Sequence, residues 1–362
     1  MLYADGIHDD TKALQELLDG RGTITLSRGV YKVSAPLKIH DNTCLSLAPD
    51  AEIFLADGAN CAVIENDALP HKGALVNHNI TIRGGVWNGN NANQQRRKRE
   101  EWRALTHFED DFYFGIFMRF VGVENLTVEN LTVKDPESYA MLICAAENFT
   151  VQHIKFDYNM LRLNMDGVHI QGPSRFGHIR DIKGATSDDM VALNCDDIFA
   201  CEITRGDISE VSIDGLYCEN GYTAVRLLSC GSQMRNISIR NVFGTYRVNG
   251  ISFTHHNVHP GAPVWFDNIQ LDGIFASKSM EALEEEKAHA IVWFAPGIRC
   301  GSVSVSNVFR SETFESQAPT VWLEGDVQID KLNLHNIVHR VNGKRKNTNI
   351  IDTKCIDTFV FD

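Results

Sequence analysis

The chain has 362 residues, a hydrophobic fraction of 43% and a formal charge of -13. That hydrophobic content supports a substantial core, and no uninterrupted apolar run approaches the roughly 18 residues of a membrane span, so the sequence reads as a soluble chain without a membrane partner. The acidic balance repels nucleic acid, which is therefore not an expected partner either.

Near the N-terminus, Asp5, Asp9, Asp10 and Lys12 stand where a signal peptide needs a basic start and an apolar stretch. The sequence as given reads as cytoplasmic, or as secreted if a signal has been removed. Asp9 and Asp10 precede a pattern in which Ala13, Leu14, Leu17 and Leu18 share one helical face, which predicts a short amphipathic helix within residues 1–20. Beyond it, TITLSRGVYKVSAPLKI and TCLSLAPDAEIFLA alternate apolar and polar residues between Gly29, Pro36 and Pro49, which are strand and turn signals.

From there onward one unit recurs: a short strand, often opened by Asn, with apolar residues two apart. It appears as Ile80/Ile82, Leu126/Val128, Phe149/Val151, Ile179/Ile182, Val211/Ile213, Ile237/Ile239, Ile269/Leu271, Val303/Val305 and Leu332/Leu334. From Leu126 the steps are 23, 30, 32, 26, 32, 34 and 29 residues. Unequal but bounded steps fit solenoid coils with variable loops, not the fixed hairpins of a sandwich or propeller. Each repeat contacts only its neighbours, so the length does not require two domains, and residues 1–362 read as one all-β solenoid whose open N-terminal end the helix caps. Monomer and homodimer both remain compatible with it. Two stretches break the rhythm: residues 90–112, with the basic run Arg96-Arg97-Lys98-Arg99, and residues 278–289, with Glu281, Glu284, Glu285 and Glu286. Both read as loops or short helices standing off the solenoid, either as solvated charged faces or, for the basic run, as a cleft wall. Nine cysteines show no zinc-type spacing, and an odd count cannot pair completely, so reduced, mostly buried thiols are expected.

The chemistry concentrates between Asn164 and Asn194. Asp166 precedes the alternation Val168/Ile170, and Asp188 and Asp189 precede Val191/Leu193; Asp166 and Asp188 are 22 positions apart, close to one coil. Stacking the apolar pairs stacks the acids on the outer surface, where adjacent carboxylates cannot all ionise cheaply. One then keeps a proton near neutrality while another stays charged, the division that glycosidic hydrolysis needs. The plain alternative is structural, since Asp-Gly and Asp-Asp also mark turns.

NMDG followed by SDD resembles the NTDG and GDD motifs of the polygalacturonase family, glycoside hydrolase family 28. The opening ADGIHDDTKALQELLD resembles the signature that begins many pectate-lyase-like proteins. The resemblance implies a single-stranded right-handed parallel β-helix and inverting hydrolysis without a cofactor or metal. Carried over, Asp188 protonates the leaving oxygen while Asp166 and Asp189 activate the water, with the acid and base about 6.5–9.5 Å apart. Two family motifs are missing. Where GHG is expected the chain has Asn220-Gly221-Tyr222-Thr223-Ala224, and where RIK is expected it has Ser252-Phe253-Thr254. The usual grip on a galacturonate carboxylate is therefore absent, and the expected substrate is a pectin-like or other plant-type oligosaccharide other than standard polygalacturonan.

Strand parity supplies replacement substrate-binding candidates, His169, Asn194, Arg226, Thr254 and His256, with Ser252 also outward; Asn164 of NMDG and Tyr222 of the segment 220–224 complete the set. Arg226 is read either as a carboxylate clamp or as the counter-ion of the acids. Trp87, Trp102, Trp265, Trp293 and Trp322 are divided between sugar stacking and packing. His255, His256 and His259 lack a metal partner set. Alternatives are a lyase of the same fold, in which the acids hold calcium, and a glycan-binding, tailspike-like solenoid without turnover.

Overall fold

The asparagines that open the strands form the bends of the coil. Asn79, Asn125, Asn148, Asn236 and Asn268 take φ between 50° and 60°, a left-handed conformation that Asn tolerates better than other non-glycine residues. A second bend, at Asn130, Asn241, Asn307 and Asn336, has φ between 52° and 56°. The bends stack from coil to coil, with Asn125 Nδ2 donating to Asn79 Oδ1 at 3.0 Å and Asn79 Nδ2 donating to Asn42 Oδ1 at 2.8 Å.

The computed structural model describes the chain except residues 69–73, 99–100, 102–112, 197–204, 257–264, 317, 347–349, 352–355 and 362. Its described strands join one sheet system, parallel apart from the hairpin of Gln328–Val341 with Lys344–Lys346. The architecture is a right-handed parallel β-helix with an N-terminal helix.

One sheet carries the functional residues. It runs through Leu37–Ile39, Ile64–Asn66, Met118–Val121, Met141–Cys144, Val168–Gln171 and Asp189–Asn194. It continues into the ends of the long strands Ile208–Leu228 and Met234–Thr254, then Val292–Phe294 and Val321–Leu323. Met118, Met141, Val168, Val191, Val225, Ile251, Val292 and Val321 are in register and wholly buried. Each such side chain contributes about 1.5–3 kcal/mol of transfer free energy, and the column joins a core cluster reaching from Leu14 to Ile337.

The helix is Thr11–Asp19. Leu14 and Leu18 enter the core, but Leu17, expected on the same face, is 41% exposed. Polar bonding sets that orientation: Gln15 Nε2 donates to Lys38 O at 3.0 Å and Lys38 N donates to Gln15 Oε1 at 2.8 Å, which ties the helix to the strand Leu37–Ile39. The repeat marks also need one correction. Ile179 pairs with Val151, and Gly177 takes the place opposite Phe149. A Cβ at Gly177 would lie 2.1 Å from Phe149 Cζ, so the large ring in one coil demands a missing side chain in the next.

Neither insertion simply stands off the solenoid. In the first, Arg96 Nη2 donates to Leu163 O at 3.1 Å, while Arg97 pairs with Glu101 at 3.4 Å; Arg99, Trp102 and most of residues 99–112 lie outside the described residues. In the second, Lys278 belongs to the strand Phe266–Lys278 and is buried, and a short helix follows at Glu284–Lys287. The Lys278 ammonium donates to Arg247 O, Val248 O and Glu286 O at 2.7, 2.5 and 2.9 Å, fastening the insertion to the solenoid. Glu284 and Glu285 remain exposed. Among the described residues, seven cysteines are free thiols, five of them buried, and no helix is long and apolar enough to cross a membrane.

Candidate active site

Val168 and Val191 are in register, so the residues two positions before each, Asp166 and Asp189, are neighbours across one rung. The step is 23 residues here, and Asp189 rather than Asp188 is the coil partner of Asp166. Asp188 ends the turn that precedes the strand Asp189–Asn194. Gly167 permits this stacking: a Cβ there would lie 2.3 Å from Met190 O in the next coil. The Asp-Gly pair thus answers to a close approach between coils, which a turn motif alone does not explain.

One oxygen from each of Asp166, Asp188 and Asp189 lies within 4.8 Å of the others. Acids on the outward side of a sheet were expected at the surface, yet Asp166 and Asp189 are only 1% and 2% exposed, and Asp188 alone is half-buried. In the neighbouring coil the Tyr139 ring stacks on His169, the partner of Asp166, at 4.1 Å and 14°. The closest-oxygen distance is also shorter than the 6.5–9.5 Å carboxyl spacing of the inverting template.

Each acid has its own partner. His169 Nδ1 is 2.7 Å from Asp166 Oδ2, and Asn194 Nδ2 is 2.9 Å from His169 Nε2. Asn164 Nδ2 donates to Asp188 Oδ2 at 2.8 Å. Arg226 Nε lies 2.8 Å from Asp189 Oδ2, which makes the guanidinium a counter-ion of the trio. Burial raises the Asp166 carboxyl to about 6; the Asp188 charge adds to the rise, and the His169 contact opposes it. Burial pushes Asp189 well above the usual carboxylate range, with Arg226 opposing it. Tyr222 lies in the field of the same acids: burial raises its phenol first, then the charges of Asp188 and Asp189.

The sequence-derived binding set therefore divides. Asn164, Arg226 and Tyr222 join the acids. His169 and Asn194, expected to meet sugar, are wholly buried and act on Asp166 from behind. Thr254 lies two rungs beyond Asn194 and donates to Leu227 O at 3.4 Å. His256 is exposed, with its backbone N–H directed at Cys230 Sγ, in a different corner from Asp166. Trp87 and Trp265 are core residues, whereas Trp293 and Trp322 are half-buried on the outward column that contains His169, Ala192, Arg226 and Ser252.

Sequence reasoning missed several supports. Tyr139 stands two positions before the inward Met141, as Asp166 does before Val168, so column parity was a usable signal for it. Tyr158 donates to Asp166 O at 3.2 Å, and Ser187 Oγ accepts from Met165 N at 3.1 Å. Arg247 lies over the Tyr222 ring at 5.4 Å and pairs with Glu286 at 3.4 Å, which links the acidic insertion to the site. No sequence pattern announced that relay.

The three acids are close enough together to hold a cation. Calcium takes six to eight oxygens, and here a guanidinium already lies against one of the three carboxylates, so the donor set fits calcium poorly.

The family described as Glycosyl hydrolases family 28 matches residues 32–210, a span that contains all three acids. Over that span the chain is similar to glycosyl hydrolases family 28. A curated relative, the plasmin and fibronectin-binding protein A of Streptococcus pneumoniae, is 26% identical over 168 residues, which is 42% of this chain and 22% of that protein. The chain thus spans about a fifth of that relative's length. Among solved structures, the surface adhesin PfbA of Streptococcus pneumoniae aligns over 99% of this chain and 89% of its own, with a TM-score of 0.58 and 15% identity. The family 28 exopolygalacturonase of Yersinia enterocolitica aligns over 99% of this chain and 76% of its own, with a TM-score of 0.62 and 14% identity. At these identities the two structures establish the shared β-helix and nothing finer.

Proposed function

We propose that this chain hydrolyses a glycosidic bond of a plant-type oligosaccharide at the Asp166–Asp188–Asp189 cluster. The observation that carries the reading is the convergence of the trio: one oxygen from each carboxyl lies within 4.8 Å of the others, Asp166 and Asp189 are buried across one rung, and Asp188, half-exposed, is open to substrate. A water donating to two carboxylate oxygens at about 2.7 Å each spans roughly 4.5 Å, which the 4.8 Å limit on the oxygens of the trio admits; in this reading the water is held between Asp166 and Asp189. That water attacks the anomeric carbon and gives its proton to the buried pair. The bond from that carbon to the leaving oxygen breaks, and Asp188 donates the proton that the leaving oxygen takes. Attack opposite the departing group inverts the anomeric configuration. Arg226 offsets the charge that the buried pair carries.

The test is proton NMR of the first released anomer from neutral and acidic pectic oligosaccharides, comparing wild type with Asp188→Asn. Inverted product, lost in the variant, supports the reading; retained configuration removes the water-between-acids mechanism. A second reading, a solenoid that binds without turnover, draws on the relative named for binding plasmin and fibronectin. It predicts no release from any glycan, with equal binding by both proteins.

A further inference from the structure

A cavity lies on the same face as the acids, toward the N-terminal end. It has a volume of about 330 Å³, and its lining includes Pro36, Ala62, Tyr113, Phe114, Glu65 and Arg119. Small-molecule pockets span roughly 300–1,000 Å³, with mostly apolar walls and a few fixed polar groups. This one reaches the lower end of that size range, and its lining mixes apolar groups with polar ones. Tyr113 and Phe114 are buried apolar walls, and Glu65, 1% exposed, is held between the Arg119 guanidinium and the Lys38 ammonium. The Lys38 side chain, 37% exposed, stands outside this lining and acts on the cavity through Glu65.

Register places this cavity in line with the acids. Lys38, Glu65, Arg119, Leu142 and His169 form one outward column of consecutive rungs. Ile116, which also lines the cavity, stands two positions before Met118, as Tyr139 stands before Met141 and Asp166 before Val168. From Arg119 to His169 is two rungs, or about 10 Å at the spacing of neighbouring strands. A glycan lying along the solenoid axis with its cleaved bond over Asp188 therefore has one arm directed at the cavity.

We propose that the cavity is a subsite for the terminal pyranose of the substrate, so that the chain end is held there and a short oligosaccharide, longer than one sugar, is released. The inference rests on the hydrolytic reading above for its consequence, but the binding itself can be measured separately. Tyr113 and Phe114 supply an apolar wall for the C–H face of the ring. The Glu65–Arg119 pair supplies fixed partners for its oxygens. Because these charged groups are paired and buried before the sugar arrives, little ordering cost attaches to binding.

The test uses galactose and galacturonate as neutral and acidic probes, titrated into the full chain by calorimetry. Four proteins are compared: wild type, Ala62→Phe, which fills the cavity, Lys38→Met, and Asp188→Asn; thermal melts check that each is folded. The expected result is binding of at least one sugar by wild type and Asp188→Asn, loss of at least tenfold in affinity in Ala62→Phe, and a smaller loss in Lys38→Met. For oligosaccharide hydrolysis, Ala62→Phe raises KM at least tenfold and broadens product lengths. Hydrolysis with unchanged KM and products in Ala62→Phe overturns the subsite and leaves the hydrolase standing. Sugar binding blocked by Ala62→Phe, with no hydrolysis of any glycan, keeps the sugar site and overturns the hydrolase. Binding of neither sugar by wild type overturns the subsite.

Discussion

The Asp166 carboxyl is buried beside a second acid and keeps its proton to about pH 6, against 3.8 for an ordinary aspartate. In the native state it holds that proton longer than the unfolded chain does, so its contribution to stability is full below about pH 4 and is lost as pH rises through about 6. Asp166→Asn removes this loss. The variant should match wild type at pH 4 and exceed it by on the order of 2 kcal/mol at pH 7, measured by urea unfolding at both values. Activity should show the converse, because Asp166 must be ionised to draw a proton from water. We expect kcat/KM to rise with pH through a limb near 6. His169 is a positioning residue here, wholly buried and joined to Asp166 at 2.7 Å. His169→Ala should lower kcat by up to about 100-fold, the low end of what a positioned proton-transfer group contributes, with KM nearly unchanged, and should move the limb. That acids gather at this point was legible from NMDG and SDD. That two of them are buried was not, because burial depends on residues of other coils, as the Tyr139 ring stacked on His169 illustrates.

At the scale of elements, alternation within each strand named the inward residues correctly, since Val168, Ile170, Val191, Leu193, Val225, Leu227, Ile251 and Phe253 are all wholly buried. The same parity placed His169 and Asn194 outward from the sheet, yet outward from a strand is not the same as open to water when another coil's turn folds over it. Coil-to-coil contacts also explain the glycines: Gly177→Ala would set a methyl against Phe149, and overpacking of this kind costs about 1–3 kcal/mol, read as a lowered midpoint in urea. The acidic insertion is the element that sequence least explained. Charge runs usually mark solvated faces, and Glu284 and Glu285 behave so, but Glu286 turns back to Arg247 and through it to Tyr222. Glu286→Ala should release that relay and raise KM a few-fold with kcat held, by steady-state kinetics on the substrate that the anomer experiment identifies.

Over the whole molecule, parallel coils give a continuous core with two open ends, and the N-terminal helix closes one of them through Leu14 and Leu18. An uncovered strand edge invites pairing with another chain. Leu18→Asp should therefore lower the thermal midpoint and raise the concentration-dependent mass seen by light scattering. The outward face is a single line, from the cavity at Glu65 and Arg119, past the acids, to Trp293 and Trp322.

Local pattern determined the solenoid, its bends, its inward columns and the place of the acids, because all of these follow from a two-residue period and from the left-handed backbone that Asn accepts. Register, burial and charge pairing were decided only in three dimensions. The change from a 22- to a 23-residue step brings Asp189 instead of Asp188 opposite Asp166. Asp166 and Asp189 are buried only in the assembled coils, and the pair's proton affinity follows from that burial. The Glu65–Arg119–Lys38 cluster joins residues up to 81 positions apart. Each depends on contacts between coils, whose loop lengths vary, and no pattern within one coil encodes them.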